Sequence, residues 1–148
     1  MKDKFAKVFR EIQPKFSRLL TRILHEASLS LPQFALLNVL SGEAGLSMTE
    51  LGEKLGITKP AVTHLVDRLE KGRCVKRVAD PKDRRVFLIQ IQPRGEKIVQ
   101  ETRSRILPLP LRTLARFNPD EQKTIAAFYS ELSATLDQAL TLPRENKR

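Results

Sequence analysis

The chain has 148 residues, of which 41% are hydrophobic and 30% are charged, and its formal net charge is +10. This length favours one domain whose core buries roughly two-thirds of the unfolded surface. The composition excludes a disordered chain, and no apolar run is long enough to span a membrane. One cysteine excludes an internal disulfide framework, and the N-terminal segment lacks the apolar core of a signal peptide, so we expect a cytoplasmic protein.

The positive charge is concentrated in the middle of the chain. Between residues 46 and 94, 11 Lys and Arg stand against 6 Asp and Glu, so this third carries +5 of the total +10. Such a surplus favours a polyanionic partner, either nucleic acid or an anionic membrane surface.

The first two predicted helices occupy the N-terminal third. Apolar residues recur at three- and four-residue steps over residues 4–27, and this spacing predicts a helix that Pro14 should kink or split. A second helix is expected to begin after Ser30, which can cap it together with Gln33 in a capping box. Residues 41–47 are expected to form a loop.

Two short helices follow in quick succession. Ser47 and Glu50 have capping-box spacing, and Gly56 should end the first of these helices. Thr58 is the expected N-cap of the second, and Gly72 its end. Because only two residues separate them, the pair is typical of a helix–turn–helix unit with glycine in the turn.

A β-hairpin is predicted directly after this unit. The stretches 74–79 and 85–91 alternate between apolar and polar residues around "DPKDR". A helix–turn–helix followed by a hairpin is a winged helix. The fold class is therefore mainly α with a small β-hairpin wing.

The C-terminal third is predicted to be helical. A long helix begins near Pro93 and is interrupted by Pro108 and Pro110, and Asn118 should cap the last helix. The first and last helices carry wide apolar stripes that a small winged helix does not need. They could form a dimerisation module or a self-contained helical subdomain.

The order of elements and several motifs resemble the MarR family, regulators named for multiple antibiotic resistance. The matching stretches are "LPQFALLNVL", "MTELGEKLGITKPAVTHLVDRLEKG" and "DPKDRRVFLIQI", followed by a turn at Gly95. The resemblance implies dimerisation helices at 1–28 and 95–142, a winged helix–turn–helix lobe at 29–94 and a flexible tail at 143–148. It also implies a homodimer whose affinity for DNA responds to a small apolar, phenolic or aromatic carboxylate ligand.

The second helix of the pair is the candidate recognition helix. Its predicted inward face consists of Ala61, Val62, Leu65, Val66 and Leu69. Its outward polar residues suit the major groove, and the arginines of the wing suit a narrow minor groove. The candidate DNA-binding residues are Thr58, Lys59, Pro60, Thr63, His64, Arg68, Lys82, Arg84 and Arg85. A solvated polar face is the alternative interpretation of the helix.

Two aspartates are expected to position arginines rather than to oppose binding. Asp83 lies two residues from Arg85 and can accept a guanidinium fork, and Asp67 could hold a neighbouring arginine in the same way. Asp80, next to Pro81, is expected to make the turn itself.

The remaining candidates are a ligand site and a cysteine. Arg18, Arg22 and His25 on the first helix are candidate partners for an anionic group. Cys74 is expected to be a small buried hydrophobe, although nearby basic residues such as Arg73 could favour its thiolate and make it a redox sensor. The two histidines lie far apart without further ligands at metal spacing, so we expect no metal and no other cofactor.

These features together predict a sequence-specific regulator of transcription that binds double-stranded DNA as a homodimer. Its expected action is repression at a palindromic operator. The sequence contains no catalytic constellation, so we do not expect an enzyme. The alternative is a basic structural nucleic-acid binder without a specific operator or effector.

Overall fold

The computed structural model describes residues 1–141, which form helices and one small sheet. The elements in chain order are α1 (Lys2–Glu26), α2 (Leu31–Leu40), β1 (Leu46–Ser47), α3 (Met48–Leu55), α4 (Lys59–Lys71), β2 (Val75–Ala79), β3 (Phe87–Ile91), α5 (Pro93–Ile106), α6 (Pro108–Leu114) and α7 (Pro119–Thr141). The mainly helical fold with a small wing is therefore confirmed. The expected flexible tail at 143–148 lies outside the described residues.

The chain divides into two compact units, with the boundary between Ile106 and Leu107. The first unit contains α1 to α5 and the sheet, and α2 to α5 and the sheet supply its hydrophobic core. The core residues are Leu36, Leu37, Leu40, Leu46, Leu51, Val62, Val66, Leu69, Cys74, Val75, Ile89, Ile98 and Val99. The second unit contains α6 and α7, and neither helix has a buried residue.

Local sequence determines where most helices begin. Ser30 and Ser47 each accept a hydrogen bond from the third helical residue, and Gln33 and Glu50 complete the two predicted capping boxes. Asn118 caps α7 by accepting hydrogen bonds from the next backbone amides. These bonds satisfy amides that have no partner within the helix.

Pro14 does not split α1, contrary to one of the two expected outcomes. The helix runs without a break from Lys2 to Glu26. Proline removes one hydrogen bond, to the carbonyl four residues earlier, at Arg10. Because Arg10 is exposed, water can satisfy that carbonyl and the helix can continue.

The sheet has three strands, although the sequence predicts only two. Leu46 and Ser47, expected to lie in a loop, form β1 and pair with Ile89 and Leu88 of β3 in antiparallel register. A two-residue strand has no periodicity to detect, and only the position of β3 makes these residues extended. The pairing anchors the N-terminus of α3 to the wing.

Polar contacts connect α5 to α1 and α2. The guanidinium of Arg105 in α5 donates to both carboxylate oxygens of Glu26 in α1, at 2.5 and 3.1 Å. This hydrogen bond lowers the pKa of Glu26 from its usual value. The Arg103 guanidinium donates to the side-chain oxygen of Asn38 in α2, so α5 is attached to both helices.

Candidate nucleic-acid interface

The tight turn of the helix–turn–helix is built by a left-handed glycine. Gly56 ends α3 with φ of 64°, a conformation that costs glycine little. Thr58 then caps α4 by accepting a hydrogen bond from the amide of Ala61 at 3.4 Å. The predicted helix–turn–helix is therefore present at the predicted residues.

The two faces of α4 separate largely as the sequence predicts. Val62, Val66 and Leu69 are buried in the core, and Leu65 is partly buried. Ala61, which is predicted to face inward, is exposed instead. The buried stripe runs along Val62, Val66 and Leu69, and Ala61 lies beside this stripe, one turn before the partly buried Leu65.

The outward face of α4 presents the predicted polar residues to solvent. Six candidate residues on or next to this face are exposed: Thr58, Lys59, Pro60, Thr63, His64 and Arg68. The hydroxyl of Thr63 donates to the carbonyl of Lys59 at 3.0 Å, which leaves its oxygen free to accept another bond. The face therefore offers both donors and acceptors on a helix narrow enough for the major groove.

The wing turn is held by the two aspartates in different ways. The amide of Lys82 donates to the carboxylate of Asp80 at 2.8 Å, which forms the predicted turn. The carboxylate of Asp83 accepts from the Arg85 amide and from the guanidinium Nε and Nη2, each at 3.0 Å. The predicted fork between Asp83 and Arg85 is therefore present.

This fork leaves the Arg85 charge at the surface. The Arg85 side chain is 90% exposed, and Lys82 and Arg84 beside it are also exposed. The guanidinium of Arg85, helped by the Arg85 amide, lowers the pKa of Asp83 below its ordinary value. The carboxylate is therefore ionised at neutral pH and can restrict the arginine in solution.

An ion-pair cluster connects the wing to α4; the sequence predicts an arginine beside Asp67, but neither its identity nor the part played by Glu70. Arg77 of β2 donates from Nη2 to Asp67 at 2.6 Å and from Nη1 to Glu70, and its amide donates to Glu70 at 3.2 Å. The bond to Asp67, together with Glu70, raises the pKa of Arg77. We call Asp67, Glu70 and Arg77 the wing clamp.

The wing clamp revises the expected role of Asp67. Its partner is Arg77, a strand residue that is not among the candidates. The signal in the sequence is the three-residue step between Asp67 and Glu70, which places both carboxylates on one face of α4. Which basic residue they hold depends on the path of the chain after Gly72.

Gly95 fixes α5 against the base of the wing. A Cβ at this position would lie 2.4 Å from the carbonyl oxygen of Cys74 and 2.9 Å from Cγ1 of Ile91. The amide of Gln92 donates to the same carbonyl at 2.8 Å. Only glycine permits this approach, so the start of α5 and the wing are packed together.

Cys74 is a buried core residue. It is 3% exposed, and burial raises the pKa of its thiol, with only a smaller opposing effect from Arg94. The neighbouring basic residues therefore do not produce the reactive thiolate that a redox sensor needs. This supports the interpretation of Cys74 as a small buried hydrophobe.

The three candidate ligand-binding residues lie along one surface groove. Arg18, Arg22 and His25 line a groove of about 410 Å³ on α1, together with Ser17 and Thr21. Two guanidinium groups and two hydroxyls supply hydrogen-bond donors for a carboxylate.

The described part of the chain has neither a membrane-spanning helix nor a metal-binding cluster. Within residues 1–141, no helix combines the length and apolar character needed to cross a bilayer. In the same range, no three His, Cys, Asp or Glu side chains are grouped so that they could hold a metal ion.

Comparisons with known proteins bear on the same region of the chain. A sequence profile described as MarR family matches residues 27–86. YsmB of Bacillus subtilis (strain 168), an HTH-type transcriptional regulator, is 39% identical over 79 residues, which cover 53% of this chain and 54% of YsmB. YfiV from the same organism, also an HTH-type transcriptional regulator, is 31% identical over 111 residues, which cover 75% of this chain and 69% of YfiV.

A solved structure shows the same fold. A variant of S. aureus MepR bound to an oligodeoxyribonucleotide superposes with a TM-score of 0.67 at 21% identity, covering 89% of this chain and 97% of that chain. The similarity to YfiV extends over more than two-thirds of both proteins, and the profile covers α2 to the wing tip. The chain therefore belongs to the MarR family and is a DNA-binding regulator of transcription, not an enzyme.

Proposed function

We propose that this protein is a homodimeric repressor that binds a palindromic operator and releases it when an anionic aromatic ligand binds. The wing clamp is the observation that carries the proposal for DNA. It connects β2, through Arg77, to Asp67 and Glu70 of α4. The recognition helix and the wing are therefore held together and can contact DNA as one surface. Such a regulator would act in the cytoplasm, where bacterial DNA lies.

The exposed face of α4 is proposed to enter the major groove. Thr63, His64 and Arg68 lie on this face and can reach base edges. Thr58 and Lys59 lie at the N-terminus of α4, where phosphate is favoured by the helix dipole and free amides. Pro60 would contribute by packing against the backbone beside them.

The wing tip is proposed to enter the adjacent minor groove. Lys82, Arg84 and Arg85 carry three exposed positive charges there. A narrow minor groove attracts arginine because its negative potential is strong. Asp83 would limit the rotamers of Arg85 before binding, so that less side-chain entropy is lost on the DNA.

The proposal of a homodimer is supported by exposed apolar side chains. On α1, Val8, Phe9, Ile12 and Phe16 are each at least 43% exposed. Soluble monomers rarely leave large contiguous apolar patches in water. A two-fold dimer would present two lobes to half-sites centred about 10 base pairs apart.

The groove on α1 is the proposed effector site. A phenolic or aromatic carboxylate could place its anionic group between Arg18 and Arg22, with His25 beside them. Binding there would act through the α1–α2 junction near Leu29 on the spacing of the two lobes. A wrong spacing weakens both half-sites together.

The DNA proposal is tested by selection from a random pool of duplexes. Affinity for the selected duplex and for a scrambled duplex is then measured at one salt concentration. A specific regulator should prefer the selected site by about a thousandfold or more. A ratio near one would indicate the alternative, a structural nucleic-acid binder.

Repression and ligand control have separate tests. Transcription in vitro from a promoter that overlaps the selected site should fall as protein is added, and a rise would contradict repression. A panel of salicylate-like compounds should weaken DNA binding by the wild type but not by Arg18→Ala/Arg22→Ala. Arg10→Ala, an exposed arginine of the same helix outside the groove, is the matched control and should respond like the wild type.

A further inference from the structure

The wing contains an exposed aromatic side chain that the DNA-binding residues above do not include. Phe87, the first residue of β3, is 53% exposed, and its neighbour Val86 is 36% exposed. They follow directly after the charged tip that contains Arg84 and Arg85. An apolar surface therefore borders the most basic part of the wing.

The register of the sheet places Phe87 on the face that contacts α4. Phe87 is paired with Ala79, and Arg77 is paired with Ile89. Because side chains alternate along a strand, Phe87 shares its face with Arg77 and Ile89. On this face Arg77 bonds to α4 and Ile89 is buried in the core, whereas Phe87 lies beyond the core and is exposed.

Along β3, Phe87 lies between the wing clamp and the wing tip. It is two residues from Ile89, which pairs with Arg77 of the wing clamp. It is also two residues from Arg85 at the wing tip. A step of two residues spans at most about 7 Å, the value of an extended chain. Phe87 is therefore close both to the wing clamp at the C-terminal half of α4 and to the wing tip.

The geometry of DNA determines what such a residue would face. Adjacent major and minor grooves are separated by one sugar–phosphate strand. With α4 in the major groove and the wing tip in the minor groove, the surface between them must cross that strand. The strand presents the C–H groups of deoxyribose between its phosphates, and these groups are apolar.

We infer that Phe87 packs against deoxyribose of the strand between the two grooves and adds an interaction that does not depend on salt. The inference rests on the proposed placement of α4 and the wing. The flanking charges of Lys82, Arg84 and Arg85 would contact phosphates and minor-groove edges, while Phe87 would exclude water between them. Burial of its exposed surface would favour the complex through the hydrophobic effect.

A single tryptophan can report this packing directly. The chain has no tryptophan and one tyrosine, so in Phe87→Trp all tryptophan emission comes from position 87. Quenching by acrylamide should be efficient in the free protein and should fall at least about threefold when the duplex selected from the random pool is bound, because bound DNA would shield the ring from water. Tyr129→Trp, at an exposed residue of α7, is the control and should show no change.

Substitution with alanine tests whether Phe87 contributes to affinity. We expect Phe87→Ala to bind the selected duplex about tenfold more weakly, which corresponds to about 1.4 kcal/mol. The slope of log K against log salt should remain that of the wild type. Lys82→Ala should instead reduce this slope, by about 0.9 for each phosphate that the protein no longer neutralises. The melting temperature of both variants should remain close to the wild-type value.

Three outcomes would overturn the inference. The tryptophan could remain equally quenched although anisotropy shows bound DNA, it could already be shielded in the free protein, or Phe87→Ala could bind with wild-type affinity. Failure of the wild type itself to prefer the selected duplex would instead overturn the proposed operator binding. The two failures are therefore distinguishable.

Discussion

In the winged-helix lobe α3, α4 and β3 each place apolar side chains in the hydrophobic core, whereas many apolar side chains on α1, α6 and α7 are exposed. Leu51, Val62 and Ile89 have no exposed surface. By contrast, Ile12 on α1 is 55% exposed, and α6 and α7 contain no buried residue. Amphipathic helices occur in both regions, but α3 and α4 contribute to the hydrophobic core of the lobe, whereas on α1 only Ile23 and Leu24 near its C-terminal end are buried.

This difference indicates which parts can fold alone and which parts need another surface. A side chain that is fully buried contributes its transfer free energy within one chain. The side chains of an exposed apolar stripe contribute transfer free energy only when another protein surface buries them. The lobe should therefore depend on its own core, and the terminal helices should depend on association.

The largest expected effect is on the core of the lobe. Leu51→Ala should lower the free energy of unfolding by about 2–5 kcal/mol, because it removes a buried side chain and leaves a cavity. Denaturant unfolding at fixed protein concentration measures this. Thr49→Ala, at an exposed residue of the same helix, should change the value by less than about 0.5 kcal/mol. Equal effects of the two variants would contradict the comparison.

The next effect is on association. Ile12→Glu places a charge in the exposed apolar stripe of α1, so we expect the dissociation constant of the proposed dimer to rise at least about a hundredfold, or about 2.7 kcal/mol. Sedimentation over a range of concentrations measures the constant, and Glu11→Gln is the control. Amide exchange in α3 and α4 should be unchanged. Loss of protection there would mean that the lobe depends on α1 as well.

The third effect is on DNA affinity alone. Arg85→Ala should weaken binding of the selected duplex at least about tenfold, because its side chain is 90% exposed and available to a groove. Anisotropy titration and thermal melting are measured together. A large fall in melting temperature with intact affinity would assign Arg85 a structural role instead.

A smaller effect, of unusual sign, is expected for Asp83. Asp83→Ala removes a negative charge near DNA, which by simple electrostatics should tighten binding. We expect binding to weaken severalfold, because Arg85 loses the carboxylate that restricts it. Asp83→Asn, which retains an acceptor, should recover part of the loss. Tighter binding by the alanine variant would show that the fork does not position Arg85.

The smallest effect concerns the connection between α1 and α5. Arg105 lowers the pKa of Glu26 in the folded state, so the pair stabilises the fold above the unfolded pKa of about 4.3. This contribution is lost as the pH falls through the lower folded pKa. Glu26→Gln should therefore lower the melting temperature slightly at neutral pH, and the difference from wild type should vanish in acid. The double variant Glu26→Gln/Arg105→Gln should lose little more, and a pH-independent difference would exclude this cause.

The sequence by itself determined the elements whose bonds are local. The caps at Ser30, Ser47 and Asn118 connect residues at most three positions apart, and the Asp80 turn and the fork of Asp83 with Arg85 span two. Such bonds need only residues that are close in sequence, so spacing alone predicts them. The order of these elements, a helix–turn–helix followed by a hairpin, predicted the winged helix, and the family motifs agreed with it.

Tertiary structure decided the features that join distant parts of the chain. The pairing of Leu46 with Ile89, the choice of Arg77 as the partner of Asp67, and the close approach of Gly95 to the Cys74 carbonyl all depend on where the chain returns. Burial, which raises the Cys74 pKa, likewise comes from the packed core and not from the charges beside it in sequence. These features follow from contacts between segments, and neither residue type nor local spacing specifies which segments meet.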